Sequence, residues 1–162
     1  MSSVVVGAAL ALSAVGLGIA TYLTVDHYTG TLPVCSASGV VDCAKVTTSP
    51  QSVVLGIPVA VLGLAYFVVM TALNLPAAWR SERMAVGWAR LLWSLVGMGM
   101  VLYLLSAELF AIKAICLWCT GVHVVTFALF VLVLASFPAL AARNAPARGA
   151  GDEDDEELPS IR

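Results

Sequence analysis

Four apolar stretches, each long enough to cross a bilayer, occupy most of this 162-residue sequence and restrict what it can fold into. They run over about 4–25, 53–75, 86–107 and 115–142. Each reaches the ~20 residues that a helix needs to traverse ~30 Å of hydrocarbon. In hydrocarbon every backbone N–H and C=O needs a partner within the protein, so a span is a helix or part of a closed barrel. The stretches consist of helix formers and branched aliphatics without period-two alternation, which points to helices. Composition agrees. The chain is 60% hydrophobic and 11% charged, with a mean hydropathy of +0.97, whereas soluble domains carry about 25% charged residues. The expected fold class is an all-α membrane protein, a four-transmembrane-helix bundle with a long exterior loop, 26–52, between the first two helices.

The first stretch, "MSSVVVGAALALSA", lacks the basic flank of a cleaved leader and is longer than a leader's apolar region. It reads as a span. The net charge of −2 is misleading, because six of the ten acids lie in Asp152–Glu157. The remainder is slightly basic and carries no nucleic-acid footprint. Residues 1–142 therefore read as one membrane domain, and 143–162 as a disordered acidic tail.

Arginine placement gives the orientation. Arg80, Arg83 and Arg90 lie in the 76–90 stretch, and Arg143, Arg148 and Arg162 follow the last span. The other side holds only Lys45 and Lys113. Cations favour the cytoplasmic side. Both termini are expected inside, and the 26–52 loop and the start of the last helix outside.

That loop, "DHYTGTLPVCSASGVVDCAKVTTSPQS", is too long for a simple turn and is a functional candidate. "DCAKV" suits a short helical turn lying over the bundle. The four cysteines form two sets: Cys35 and Cys43 in the loop, and Cys116 and Cys119 at the start of the fourth helix. All fall toward the exterior, where disulfides persist. In a helix, residues three and four apart share a face. Cys116, Cys119 and His123 then form one stripe descending into the bilayer. Cys116 at a helix N-terminus favours a thiolate. The upper sulfur can meet an aqueous partner and the lower one a lipid-dissolved acceptor. Two dithiols permit two consecutive exchanges through mixed disulfides, and a flexible loop could carry its cysteine to the helix pair. An ionisable residue within a span is a functional candidate by default, which includes His123.

Other readings weigh less. A spacing of eight does not suit a zinc site, and Thr120 rather than His follows Cys119, against a c-type haem. No metal is expected. A non-enzymatic tetraspan scaffold with structural disulfides is the alternative to an enzyme.

The order of these motifs resembles the vitamin K epoxide reductase family in its bacterial branch. The resemblance rests on Cys35 and Cys43 with seven residues between, on "DCAKVTTS", on "GIPVAVLG" and on "CLWC", and covers about Tyr22 to Phe130. It implies a membrane oxidoreductase that couples disulfide formation in exported proteins to reduction of a quinone, menaquinone or ubiquinone, in a bacterial cytoplasmic membrane. It assigns Cys119 to the quinone side, Cys43 to exchange with Cys116, and Cys35 to the pair that takes electrons from the partner. It also places Ser49 close to the active site. The Tyr that vertebrate members carry four residues after the last active cysteine is His123 here. Their second-helix Asn falls in "IPVAV", which is wholly apolar, so vitamin K epoxide is not the expected substrate. No fused thioredoxin-like domain follows the last span, which makes a separate exported thioredoxin-fold protein the expected partner. The disulfide bond formation protein B family shares the chemistry but carries its Cys-x-x-Cys pair first.

Overall fold

The computed structural model describes residues 3–35, 39–81 and 83–143. The acidic tail expected to be disordered over 143–162 lies, but for Arg143, outside the described residues. The chain is mostly helical. Helix α1 covers Ser3–Thr29, α2 Cys43–Thr47, α3 Val59–Leu73, α4 Pro76–Arg80, α5 Met84–Ser106 and α6 Leu117–Arg143. A π-helical turn, Ala107–Ile112, prolongs α5. Among the described residues, three helical stretches are long and apolar enough to cross a membrane: Ser3–Thr29, Met84–Ile112 and Leu117–Ala139. Helix α3 is shorter, at 15 residues, or roughly 22 Å at 1.5 Å per residue.

Helix α1 packs on α3 and α6, and α5 on α6 and α3, so the four long helices close into a ring. At its centre lie Ala9, Phe67, Met70, Leu129 and Val133. Only 22–28% of each span window is buried. The outward remainder is apolar too, with Val15, Val68, Leu92, Leu102, Phe127 and Leu134 exposed. A soluble fold would hide such a surface, and lipid is the solvent that suits it. Between helices in lipid, close packing replaces the hydrophobic effect. Gly16 and Gly97 show how: a Cβ at either position would collide with the ring of Phe67 or Tyr66, respectively.

The second apolar stretch departs from the expected 53–75 helix. Its first six residues form a two-stranded antiparallel hairpin, β1 (Val53–Val54) and β2 (Ile57–Pro58), instead. Leu55 and Gly56 between them have φ of 52° and 79°, the positive values that a tight two-residue hairpin turn requires. Pro58 disfavours helix at the residue before it, so α3 starts only at Val59. Helix α1, in contrast, runs four residues past the expected Val25 and carries Asp26 and His27 with it.

Polar side chains tie the bundle at the end where α3 finishes and α5 begins. The Asn74 amide donates to Ser13 Oγ at 3.0 Å. Arg90, which falls within the expected 86–107 span and counts for orientation with Arg80 and Arg83, lies inside α5 and is almost completely buried. Its guanidinium donates to the Leu73 carbonyl at 3.1 and 2.6 Å and stacks over the Trp79 ring at 3.6 Å. It thus closes the C-terminus of α3, where carbonyls lack helical partners.

Candidate functional site

The opposite end holds the cysteines. Asp42 caps α2 through its carboxylate, which accepts from the Lys45 N–H at 2.9 Å. "DCAKV" is thereby a true helical turn, with Cys43 as its first residue. A parallel bridge between Val41 and Ile115 joins this segment to the chain just before α6. The Asp42 N–H donates to the Ile115 carbonyl at 3.0 Å, and the Ile115 N–H to the Val40 carbonyl at 2.9 Å. Cys43 and Cys116 each follow a bridged residue by one or two positions. They enter one buried cluster with Val46, Ala107, Ile112 and Ala114, and Cys35 and Cys119 pack against it. No swing of the loop is needed to bring Cys43 toward the helix pair, contrary to expectation, because backbone hydrogen bonds already hold its segment there.

Cys35 and Cys43 are joined in a disulfide, and Cys116 and Cys119 are free thiols. Exposure grades the sulfurs. Cys43 and Cys116 are 1% and 0% exposed, whereas Cys35 and Cys119 are half-buried. The Cys35 arm is held from both sides: the Val34 N–H donates to the Tyr22 hydroxyl at 3.0 Å, and the Trp118 indole N–H donates to the Val34 carbonyl at 3.0 Å. The Tyr22 and Trp118 rings meet at 4.8 Å.

Cys116 precedes α6 rather than sitting in its first turn. Its sulfur accepts the Cys119 backbone N–H at 3.4 Å, and its carbonyl accepts the Thr120 N–H at 2.9 Å. That is the geometry of an N-cap, with sulfur in place of the usual oxygen. A hydrogen bond from the Cys119 thiol lowers the Cys116 pKa to about 7; the N–H groups of Cys119 and Trp118 assist, and burial opposes. The Cys-x-x-Cys spacing and the helix start together make Cys116 the more readily ionised sulfur.

A cavity of about 420 Å³ opens beneath this cluster, and Ser49, Cys119 and His123 all border it. Cys116 is not among its lining residues. The Ser49 hydroxyl donates to the Val46 carbonyl at 2.7 Å and keeps capacity to accept. His123 is buried, and neither ring nitrogen has a partner among the described residues. The walls are otherwise largely apolar, with Tyr66, Phe67, Trp93 and Met100 among them. A narrow apolar chamber with a few convergent polar groups suits a flat hydrophobic ligand.

Two acids escaped the reading of the sequence. Asp26 lines the cavity from α1; its Oδ1 accepts from Thr31 at 2.8 Å and its Oδ2 has no partner among the described residues. Glu108 lines it from the π-helical turn and is 3% exposed, with Oε2 likewise unpartnered. The signal for Glu108 was present, since it is the only acid between Arg83 and Gly151. The expected third span ends at Ala107 and leaves Glu108 in a loop, whereas the helical stretch continues to Ile112.

The family model for the vitamin K epoxide reductase family matches residues 8–134. The chain belongs to this family. No curated protein matches the sequence significantly. The family is one of quinone-linked thiol–disulfide oxidoreductases, and with the apolar helices above this makes the chain a multi-pass membrane protein of that kind.

Proposed function

We propose that this member oxidises an exported thioredoxin-fold protein and passes the electron pair to a membrane quinone, menaquinone or ubiquinone. In this reading the reduced partner attacks the Cys35–Cys43 disulfide at the half-exposed Cys35. The loop dithiol then reduces a Cys116–Cys119 disulfide. The Cys43 thiolate attacks Cys116 sulfur, Cys119 leaves as a thiolate, and Cys35 attacks Cys43 to release Cys116. The loop ends oxidised and the helix pair reduced, which is the combination the structure holds. The helix pair finally closes its S–S bond while two electrons and two protons convert the quinone to the quinol. Ser49 and His123 serve as polar contacts for the quinone oxygens.

One observation carries the reading: Cys43 and Cys116 share a buried cluster, while Cys119 alone of the inner pair borders the apolar cavity. The scaffold alternative requires both pairs to be permanent bridges that resist mild reduction. The proposed topology puts both termini and Arg80 and Arg83 in the cytoplasm, with the cysteines at the outer face. Helix α3, with its flanking apolar segments, makes the fourth crossing. Residues 1–142 then form the catalytic domain and the acidic tail follows it inside.

The test is anaerobic quinone reduction by the purified protein, supplied with a reduced thioredoxin-fold donor. One quinol per donor disulfide is the expected stoichiometry. Unconsumed quinone with donor thiols intact would sink the proposal.

A further inference from the structure

Oxidation of the inner dithiol releases two protons along with its electron pair, and both must reach the acceptor for the quinol to form. On the reading above, one proton leaves from Cys119, which borders the cavity. The other belongs to Cys116, which is 0% exposed and does not border it. A proton cannot leave a buried sulfur without a group to receive it, so the geometry calls for a carrier between Cys116 and the cavity.

Glu108 stands in that place. Its turn packs in the Cys116 cluster through Ala107 and Ile112. The carboxyl lies against the Cys116 backbone N–H and within electrostatic reach of both inner cysteines. Its Oε2 is buried and unpartnered among the described residues, and the residue lines the cavity beside Cys119 and His123. The backbone fixes this position. The N–H groups of Lys113 and Ala114 both converge on the Glu108 carbonyl, the latter at 3.2 Å, and Lys113 closes the turn with φ of 53°. A π-helical insertion of this kind reorients side chains and is common at functional sites. A buried carboxyl oxygen without a partner is destabilising, a cost that a purely structural residue has no reason to carry.

We propose that Glu108 is the proton carrier of the Cys116–Cys119 dithiol: it accepts the Cys116 proton as the disulfide closes and delivers it to a quinone oxygen in the cavity. The balance is complete. Two S–H bonds break and one S–S bond forms. The two electrons go to the quinone, one proton arrives from Cys119 and one by way of Glu108, and Glu108 returns to its starting state. The inference rests on the quinone-reduction reading and adds a route to it. Other titratable groups facing the same cavity are Cys119 and His123 from α6, Asp26 and His27 from α1, and Tyr66 from α3.

Single-turnover kinetics separate the steps. Reduced protein is mixed anaerobically with a short-chain quinone across a range of pH, and loop-to-helix exchange is followed separately by thiol alkylation. Glu108→Gln keeps the size and loses the exchangeable proton. Quinone-driven oxidation should fall about 100-fold, a usual contribution of general acid–base catalysis, while exchange persists within about twofold. A pH-dependent limb of the oxidation rate should disappear with it. Glu108→Asp should recover a pH-dependent rate, and formate should restore part of the activity of Glu108→Ala. Wild-type oxidation kinetics and pH profile in Glu108→Gln would overturn the proposal. An equal fall in both steps without formate rescue would also overturn it, by making the residue structural. If wild-type protein is itself not oxidised by quinone, the parent reading fails and this one falls with it; the wild-type control distinguishes that case.

Discussion

The two ends of the bundle treat buried polar groups in opposite ways. At the end where α3 finishes, the inner end in the proposed topology as the cysteine end is the outer one, Arg90, Asn74 and Ser13 join neighbouring helices by hydrogen bonds, and only single atoms among the described residues, such as Asn74 Oδ1 and Trp79 Nε1, are left over. At the outer end, both nitrogens of His123 and one oxygen each of Glu108 and Asp26 lack partners among the described residues, and all three residues face one cavity. Each such atom costs about 1–3 kcal/mol in isolation. The inner end uses polarity to fix helices. The outer end holds polarity ready for something else, and it does so where the reactive sulfurs are.

The sharpest way to break this contrast is at the sulfurs. Cys119→Ser should abolish quinone reduction, by about a thousandfold or more, as loss of a covalent participant does. It should also leave Cys116 bonded to Cys43, since Cys116 can attack the loop disulfide and, without Cys119, only return attack by the displaced Cys35, which regenerates the reactants, can undo the product. Peptide mapping under non-reducing conditions would detect the Cys43–Cys116 link. Cys116→Ser should give no such link and accumulate reduced partner. Normal disulfide formation with Cys119 replaced would end the two-dithiol scheme.

The inner end should answer in stability rather than rate. Arg90→Ala strips the Leu73 carbonyl of its donors and Trp79 of its cation, a loss of about 2–4 kcal/mol. Unfolding in mixed detergent would read this as a lower midpoint, while the fraction still folded turns over within about twofold of wild type. A large catalytic defect in that fraction would erase the distinction between the ends.

How far the sequence discloses all this also differs by region. The long apolar runs give the helices because lipid leaves the backbone few options, and α1, α5 and α6 fall within a few residues of the stretches drawn. The short elements were harder. Val53–Pro58 is as apolar as a span, and hydropathy cannot tell a hairpin from a helix; the information lay in Gly56 and Pro58, whose backbone preferences act locally. Arg90 falls within the expected third span, but its burial does not follow from the sequence, since a charge near a span end is usually solvated and only the ring of Trp79 and the open carbonyl of Leu73 make its burial tolerable. The cysteine order made the site legible. Glu108 is legible only as a lone acid at a span end; its burial is not, since a π-helical turn continues the span past the point where its hydropathy falls and turns a carboxyl inward.

His123 offers a smaller test of the same contrast. With no partner to lose, His123→Ala should cost little in unfolding, less than Arg90→Ala by a clear margin. Quinone turnover should fall about tenfold, corresponding to one lost hydrogen bond of about 1.4 kcal/mol to the acceptor. Unchanged steady-state kinetics would remove His123 from the site and leave Ser49 as the polar contact to examine.

The least dramatic effect lies in pH. The hydrogen bond from the Cys119 thiol favours the Cys116 anion and lowers its pKa below that of an ordinary thiol. The thiolate is the reactive form, so reactivity rises with pH until the group is fully ionised. From about pH 7 to about pH 8 the thiolate fraction should then rise by less than the roughly eightfold of an ordinary thiol near 8.5. Ultraviolet thiolate absorbance of the reduced protein, with Cys116→Ser as the blank, would trace the curve. Replacing the donor, as in Cys119→Ala, removes the hydrogen bond that favours the anion while burial still opposes it. The midpoint should therefore move upward. A midpoint already near that of an ordinary thiol in the wild type, or one indifferent to Cys119, would mean that the sulfur capping α6 is not activated by its neighbour, and the outer end would lose the feature that most separates it from the inner one.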